Sequence, residues 1–559
     1  MFFCSTGHRR FARHASPPGH RRVQLAIVLV VLSAIWYTPW LIRHADYTHP
    51  LLSIPFVIAF LYLIFQVHIS VVNNWKWTRL PVVEIPRGKN YPVAVIVPTY
   101  GESASMVRRT LVSVLEQDWP ESALVIVVSD DGASDDMAAM TLSLSKDYPA
   151  ATIRYHRPPP HGSPERRGNA KAGNLNSALD LLDNEYPDIK YVETRDADDE
   201  VVHSRFIRRA LAPLLDDQRV AFVQTIKDAR VSYGDPFNNR ELLFYRGVMH
   251  GRHSANAVFP CGSGVIWRRQ ALDDIGGFPS WNIVEDLQSG VEALKRGWRG
   301  VYVSIVGARA QHAPEDLANL CKQRGTWALD TMRLLIWRRL DGMCLRQKLH
   351  FLDMALFYCQ GFPMLVLYII SMVYILLGTQ PLRAPTGVYM IHFIPYILAV
   401  EFFIWAMAAE AGGTNLFVIR RMWHGLMFVY MKAVIMALVY GPDRKPSYRV
   451  TRKNHVHRWY LRPTLPHILV VSGLVVATIY GSLTHGISVI MRPDVVYWLL
   501  MAAIPLGAFI PLGWYGMSVR QGVLSWFRRT PAPAGIAPVN PVDTTRLNVS
   551  RASRVNQKA

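Results

Sequence analysis

Cysteine, acidic residues and charge in general are scarce in this chain. Its five cysteines among 559 residues, Cys4, Cys261, Cys321, Cys344 and Cys359, form no CxxC pair and share no metal-ligand spacing with histidine. That spacing offers no disulfide framework and no structural zinc site, so scattered reduced thiols are expected. Only 18% of residues are charged against 50% hydrophobic, and the mean hydropathy is +0.12. Such a chain is too apolar to be disordered and too apolar to be wholly soluble, so membrane segments are expected. The 41 carboxylates are outnumbered by 61 Lys and Arg, a formal charge of +20, which suits nucleic acid, anionic lipid or a phosphorylated ligand until the placement of the basic residues decides. No small-residue cleavage site follows the basic start, so the first apolar stretch is expected to remain in the membrane. Walker spacing is absent too, which leaves nucleotide hydrolysis of that type unsupported.

What the chain does have is long apolar runs. They fall at 23–42, 51–73, 354–378, 387–411, 465–490 and 494–517, each about the length of a membrane-crossing helix. A further run at 415–441 carries Arg420, Arg421 and Lys432 and is expected to lie in the membrane interface. Basic residues concentrate in the N-terminal tail (Arg9, Arg10, Arg13, Arg21, Arg22) and between the late runs (Arg444, Lys445, Arg449, Arg452, Lys453, Arg458, Arg462). The positive-inside bias puts both in the cytoplasm. The expected order is a cytoplasmic basic tail (1–22), two spans (23–73), a cytoplasmic domain (90–345), two spans plus an interfacial helix (346–441), a cytoplasmic loop (442–463), two spans (464–519) and a disordered cytoplasmic tail (520–559). Much of the positive charge is then topogenic, which counts against nucleic acid. Gln360, Glu401 and Glu410, set among apolar neighbours, are expected to face a cavity or a partner.

The region 90–345 alternates like an α/β domain. YPVAVIVPTY (91–100), LVIVVSDDG (124–132), IKYVETRDADDE (189–200) and AFVQTIKDAR (221–230) read as strands, with helix-like stretches between and a Pro-rich loop at 158–164. Two strands end in acids, at the edge where ligands gather in open α/β sheets. Asp130-Asp131-Gly132 projects from one such end, with an ordinary Asp-Gly turn as the plain alternative. Asp196 and Asp198, spaced i, i+2, share a face and suit an oxygen-preferring divalent ion that grips a diphosphate; an exposed acidic turn is the alternative. In NAKAGNLNSAL (169–179), Lys171 offers phosphate a point charge and Gly173 permits close backbone approach. Glu285 and Asp286 precede a helix start, where a carboxylate can simply cap the backbone.

The order of these motifs is more telling than any one of them. PTYGE (98–102), DDG (130–132), AKAGNLN (170–176), DAD (196–198), GSG before a basic pair (262–269), ED (285–286), QRGTW (323–327) and YRVTRK (448–453) together resemble the membrane-embedded processive family 2 glycosyltransferases, above all the bacterial cellulose synthase catalytic subunits, over residues 90 to 460. The resemblance implies a Rossmann-like, GT-A-type α/β glycosyltransferase domain inserted between transmembrane helices of a multi-pass inner-membrane protein. It implies a UDP-sugar donor, UDP-glucose first, polymerised by an inverting, processive mechanism into a β-glucan such as cellulose that is translocated as it grows. Mg²⁺ or Mn²⁺ is the implied cofactor. The implied partners are the growing polysaccharide as acceptor, the lipid bilayer and an accessory export subunit, with no nucleic acid.

The resemblance also implies roles for individual residues. Thr99, Glu102, Asp130, Asp131, Lys171, Asp196 and Asp198 would bind the nucleotide sugar, and Asp196 and Asp198 the metal. Asp286 would be the catalytic base, Gln323 and Trp327 would shape the acceptor site, and Tyr448, Val450, Thr451 and Lys453 would form a gating loop. Three positions depart from the pattern: Val284 replaces threonine, Tyr448 replaces phenylalanine, and Thr326 replaces the QxxRW arginine that lies near the diphosphate. Arg324, two positions earlier on a helix, points to nearly the opposite face and is a poor substitute. The alternatives are a synthase of another polysaccharide (β-1,3 or mixed-linkage glucan, mannan, amino-sugar polymer), a nonprocessive lipid-linked sugar transferase, or a transporter or scaffold that only binds nucleotide sugar. About forty residues follow the last apolar run, too few for the cyclic-dinucleotide-binding β-barrel of the resembled enzymes, so activation by that route is not expected.

Overall fold

The computed structural model describes residues 19–515, apart from 82, 232–233, 413, 445–459, 490, 492–494 and 497–498. The gating-loop residues Tyr448, Val450, Thr451 and Lys453, with most of the N-terminal tail and all of the C-terminal one, lie outside the described residues.

Among the described residues eight strands build one mixed sheet: β1 (Val93–Thr99), β2 (Leu124–Asp130), β3 (Thr152–His156), β4 (Tyr191–Thr194), β5 (Asp199–Glu200), β6 (Val220–Ala229), β7 (Val265–Arg268) and β8 (Arg299–Ala310). Their order is β3-β2-β1-β4-β7-β6-β8-β5. The first four run parallel, β7 runs against both β4 and β6, and β5 runs against β8. This is a GT-A-like arrangement, a Rossmann-like parallel half continued by a mixed half. Both β1 and β2 are nearly unbroken apolar runs because both faces of the sheet are covered. Val93, Val95 and Val97 pack with Val107, Leu111 and Val114 of the helix Ala104–Leu115. Ala94 and Ile96 face the other way, toward Leu175, Ala178 and Leu182 of the helix Ala170–Glu185. The pairing sets Thr99 opposite Asp130, so the PTYGE and DDG segments leave the sheet side by side.

The strand over 189–200 is shorter than its sequence suggests. It stops at Thr194, and a turn over the DAD segment leads into β5. Arg195 fixes that turn from within the core: wholly buried beside the equally buried Glu193, it pairs with that carboxylate and donates to the carbonyls of Asp199 (3.0 Å) and Gly307 (3.1 Å).

Among the described residues five helices are long and apolar enough to cross a membrane: His20–Arg43, Pro50–Asn74, Leu345–Leu377, Thr386–Glu410 and Leu461–His485. The third is broken at Gln360, where Gly361 lets the carbonyl of Met427 approach so closely that a Cβ would sit 2.8 Å from it. The run at 415–441 is two helices, Leu416–Gly425 and Met427–Tyr440, bent by 45° at Leu426. The ring of Phe509 lies on Gly425 at that elbow, and His467 hydrogen-bonds the Gly425 carbonyl at 2.7 Å. The expected span over 494–517 is not one continuous helix: its described residues form a π-type turn at Leu499–Ala503, short helices at Ile504–Gly507 and Leu512–Tyr515, and turns between them. Pro511, which has no N–H to donate, stands at the second break. Glu401 pairs with Arg420 and Gln360 with Gln66 at 3.3 Å, while the Glu410 carboxylate lies against the bare backbone of Gly19.

Replacing Arg195 with methionine would strand Glu193 in the core, and loss of one partner of a buried ion pair costs about 3–5 kcal/mol. Denaturant unfolding at neutral pH is expected to show that loss, whereas an exposed pair such as Arg108 with Asp147 is expected to tolerate the same change within about 1 kcal/mol.

Candidate active site

At the carboxyl ends of β1, β2 and β4, the candidate residues separate into two groups. In the first, Asp130 builds its own loop. Its Oδ1 accepts from Thr99 Oγ1 and the Gly132 N–H (both 2.9 Å), and its Oδ2 from the Ser134 N–H (2.8 Å) and the Tyr155 hydroxyl (3.0 Å). Asp131 forms a bidentate pair with Arg166 at 2.7 and 2.8 Å, and the same guanidinium donates to the carbonyls of Pro159 and Ala170. The Pro-rich loop is thereby drawn over the DDG turn. Glu102 accepts from the Tyr100 N–H at 2.6 Å, which shapes the PTYGE corner.

The helix Ala170–Glu185 carries the AKAGNLN motif, and most of that motif holds the crevice together. Asn174 donates to the Ser129 carbonyl at 2.9 Å, fastening the helix to the end of β2. Asn176 exchanges hydrogen bonds with the Phe278 backbone and donates to the Arg167 carbonyl. Gly173 admits the Gly168 carbonyl, which would lie 2.5 Å from any Cβ. The close approach it permits is therefore that of the preceding loop.

The second group centres on Asp196. Lys171 Nζ lies 2.6 Å from Asp196 Oδ1 and 3.2 Å from Glu285 Oε1. Lys227, reaching in from β6, lies 2.5 Å from Asp196 Oδ2 and 3.0 Å from Asp199 Oδ2. Burial works against a charge on Asp196, yet the two ammonium groups hold its carboxyl well below the usual range. Burial likewise opposes the charge on Lys171, which Asp196, Glu285 and Asp286 more than restore. Ser263 accepts from the Asp196 N–H at 3.1 Å.

Asp286 completes this group from the first turn of the helix Glu285–Lys295. A Cβ on Gly262 (φ +82°) would lie 3.1 Å from Asp286 Oδ2, 3.5 Å from Lys171 Nζ and 3.8 Å from Asp196 Oδ2, so the three side chains ring one bare backbone position. Burial, reinforced by the neighbouring Glu285, pushes the Asp286 carboxyl up to about 7 against the pull of Lys171. A carboxylate poised near neutrality can take a proton at physiological pH.

The acceptor candidates sit on the helix Leu317–Trp337. The Trp327 indole is 36% exposed, with the Arg324 guanidinium stacked 4.8 Å from its centroid. Arg324 is paired with Glu241, so it does not stand in for the QxxRW arginine, and Thr326 donates to the Lys322 carbonyl in its own helix. One turn beyond Trp327, the buried Asp330 accepts from the Ile283 (2.6 Å) and Val284 (3.1 Å) N–H groups, fixing the loop that leads to Asp286.

Lys227, Arg166 and Asp330 are residues the sequence motifs do not single out. Lys227 sits in a strand that also carries Gln224, Thr225 and Asp228, and a lysine in a run buried on both faces is its one signal. Arg166 and Asp330 act through partners 35 and more than 40 residues away, which no local pattern shows.

The donor chemistry suits a hard divalent cation: Asp196 and Asp198 offer only carboxylate oxygens. Among the described residues no group of three or more His, Cys, Asp and Glu could hold a metal by itself, so other oxygens, such as those of a phosphate, would have to complete the shell.

Residues 90–329 match the profile described as Glycosyltransferase like family 2. The chain carries a family 2 glycosyltransferase domain. Among curated proteins it is similar to the UDP-forming cellulose synthase catalytic subunit of Pseudomonas fluorescens (strain SBW25), 27% identical over 401 residues, 68% of this chain and 51% of that one. It is also similar to the cellulose synthase 1 catalytic subunit of Komagataeibacter xylinus, 24% identical over 479 residues, 80% of this chain and 60% of that one. The chain thus spans about half the length of the curated relatives it matches. Among solved structures, a mannosyltransferase from Pyrobaculum calidifontis in complex with GDP-Man and Mn²⁺ aligns with a TM-score of 0.46 and 20% identity, covering 64% of this chain and 98% of that one.

The raised Asp286 carboxyl has a consequence for stability. Its folded value of about 7 exceeds the ordinary 3.8, so the folded protein binds this proton more tightly, and the stability it contributes is lost as pH rises from about 4 through 7. Asp286→Asn lacks that loss. Its melting temperature relative to the native protein is expected to climb between pH 4 and 7 and level off above, in a thermal scan across pH.

Proposed function

We propose that this chain is an inverting, processive glycosyltransferase that polymerises a UDP-sugar, UDP-glucose in the first instance, into a β-glucan such as cellulose and passes the product across the membrane. The observation that carries the reading is Asp286 facing Asp196 across Gly262, a base poised near neutrality beside a carboxylate suited to a diphosphate-bound metal. The names of the curated relatives, UDP-forming cellulose synthases, support the donor and product, and the apolar helices around the domain support export. Asp130, Asp131 and Arg166 shape the pocket for the nucleoside, beside the PTYGE corner of Thr99 and Glu102. Lys171 meets the diphosphate. Asp286 takes the proton of the acceptor hydroxyl as that oxygen attacks the anomeric carbon, and Trp327 offers its exposed face to the terminal sugar, with Gln323 on the same helix. A divalent cation on Asp196 and Asp198, Mg²⁺ or Mn²⁺, would neutralise charge on the departing UDP. The domain lies on the cytoplasmic side, where nucleotide sugars are, and Tyr448, Val450, Thr451 and Lys453 belong to a loop that gates the crevice.

A second reading, a synthase of a different polysaccharide, is favoured by one observation. Position 326 is threonine and Arg324 is committed to Glu241, so neither residue supplies the guanidinium of the QxxRW arginine.

Purified protein given labelled UDP-glucose with Mg²⁺ or Mn²⁺ is expected to form insoluble polymer, and Asp286→Asn to form none while still binding UDP. Polymer from that variant, or no UDP binding by the native protein, would overturn the assignment. Polymer from another UDP-sugar alone would select the second reading. Because the base must be ionised, kcat/KM is expected to fall tenfold per pH unit below about 7, as a single proton is taken up.

A further inference from the structure

Arg324 makes three contacts from the helix Leu317–Trp337. Its guanidinium pairs with Glu241, donates to the Asn238 carbonyl at 3.2 Å and lies over the Trp327 indole, 4.8 Å from the ring centroid. Leu317, Leu320, Arg324 and Trp327 follow one another at intervals of three and four, so they share one side of the helix. The segment 235–241 lies against that side: Phe237 is buried with Leu317 and Leu320, and Asn239 donates to the Pro314 carbonyl at 3.0 Å. Both residues that Arg324 grips in this segment hold the left-handed backbone, Asn238 at φ +51° and Glu241 at φ +43°. Asparagine enters that region readily, whereas glutamate seldom does. Such backbone persists where its surroundings over-determine it, and here one buried guanidinium binds both residues. The same segment is tied to the sheet, because Arg240 pairs with Asp228 of β6 at 2.7 Å. Arg324 is thus held from the side by two partners, and the ring it covers is held with it. With one face of the indole under the guanidinium, the part that remains exposed is presented in a single orientation.

We propose that Arg324 is a positioning residue for the acceptor: anchored by Glu241 and the Asn238 carbonyl, it holds the Trp327 indole so that the open face receives the terminal sugar of a β-glucan chain. The inference rests on the reading of Trp327 as the acceptor surface. It makes the segment 235–241 a strut between β6 and that surface. Acting through the indole, Arg324 governs binding of the acceptor and not of the nucleotide.

The test uses the full chain in detergent, with cellotetraose binding measured by calorimetry in the presence of UDP and Mn²⁺, and UDP binding measured separately with Mn²⁺. Arg324→Gln is expected to weaken cellotetraose about fivefold and to leave UDP within about twofold, which also reports an intact fold. Glu241→Gln keeps the shape of that side chain and removes only its charge, and it is expected to weaken cellotetraose about threefold. Trp327→Ala is expected to lose about tenfold, and Arg324→Gln added to it to change that affinity by less than about twofold, because no indole remains to be positioned. An arginine that merely stabilises the fold would weaken UDP along with cellotetraose, or act equally with and without Trp327. Either result, or native cellotetraose affinity in Arg324→Gln, overturns the inference while the acceptor reading stands. Native affinity in Trp327→Ala, or no cellotetraose binding by the native protein, overturns the acceptor reading and the inference with it.

Discussion

The Asp196 carboxylate is the point at which three elements of the crevice meet. Lys171 comes to it from the helix Ala170–Glu185 on one side of the sheet, Lys227 from β6 beyond the antiparallel β7, and Asp286 faces it from the helix Glu285–Lys295. Buried charges are costly to desolvate, and here the cost is offset because each ammonium has two carboxylates and each oxygen of Asp196 has an ammonium. The turn that presents Asp196 is in turn fixed by Arg195, the next residue back, which points the other way into the core. Successive residues of one short segment thus face two ways, one toward the crevice and one into the core.

The helix Leu317–Trp337 is the wall that domain and apolar helices share. One part of it presents Asp330 to the loop before Asp286. Its far side packs Met332 on Val434 and Ala437, and the Trp337 indole donates to the Ala437 carbonyl at 2.8 Å. The same helix bears Trp327, so the proposed acceptor surface and the proposed base are referred to a single rigid rod, itself seated on the helix Met427–Tyr440. Arg333 and Trp281 extend this seam by hydrogen-bonding the carbonyls of Arg444 and Pro442, the residues that lead into the basic loop.

The parallel half of the domain was legible in sequence because β1 and β2 are apolar runs that end abruptly in acids. Of the mixed half only β6 was read as a strand, and β3 at the edge of the parallel half was not: β7 and β8 carry arginines at their ends, and β3 has only Ile153 well buried, so none of the three shows an uninterrupted signal. Five of the apolar runs coincide with long helices, since length and hydropathy are local properties, whereas the broken course of 499–515 depends on Pro511 and on packing. Of the candidate site, Lys171, Asp196 and Asp286 converge as charge-bearing motifs lead one to expect. Asp130 shows what such a motif leaves out: its carboxylate also ties the DDG turn to Thr99 at the end of β1 and to Tyr155 of β3. What no motif reveals is the partner far along the chain, as with Lys227, Arg166 and Asp330.

Gly262 contributes no side chain, and the site is arranged around that lack. Its positive φ is a conformation that residues with a Cβ rarely adopt, and the space a methyl would fill is bounded by Asp286, Lys171 and Asp196. In a saturation screen of codons this position would tolerate a single letter, as strictly as the charged groups around it, although glycine itself donates no proton and carries no charge. Selection there acts on an empty volume.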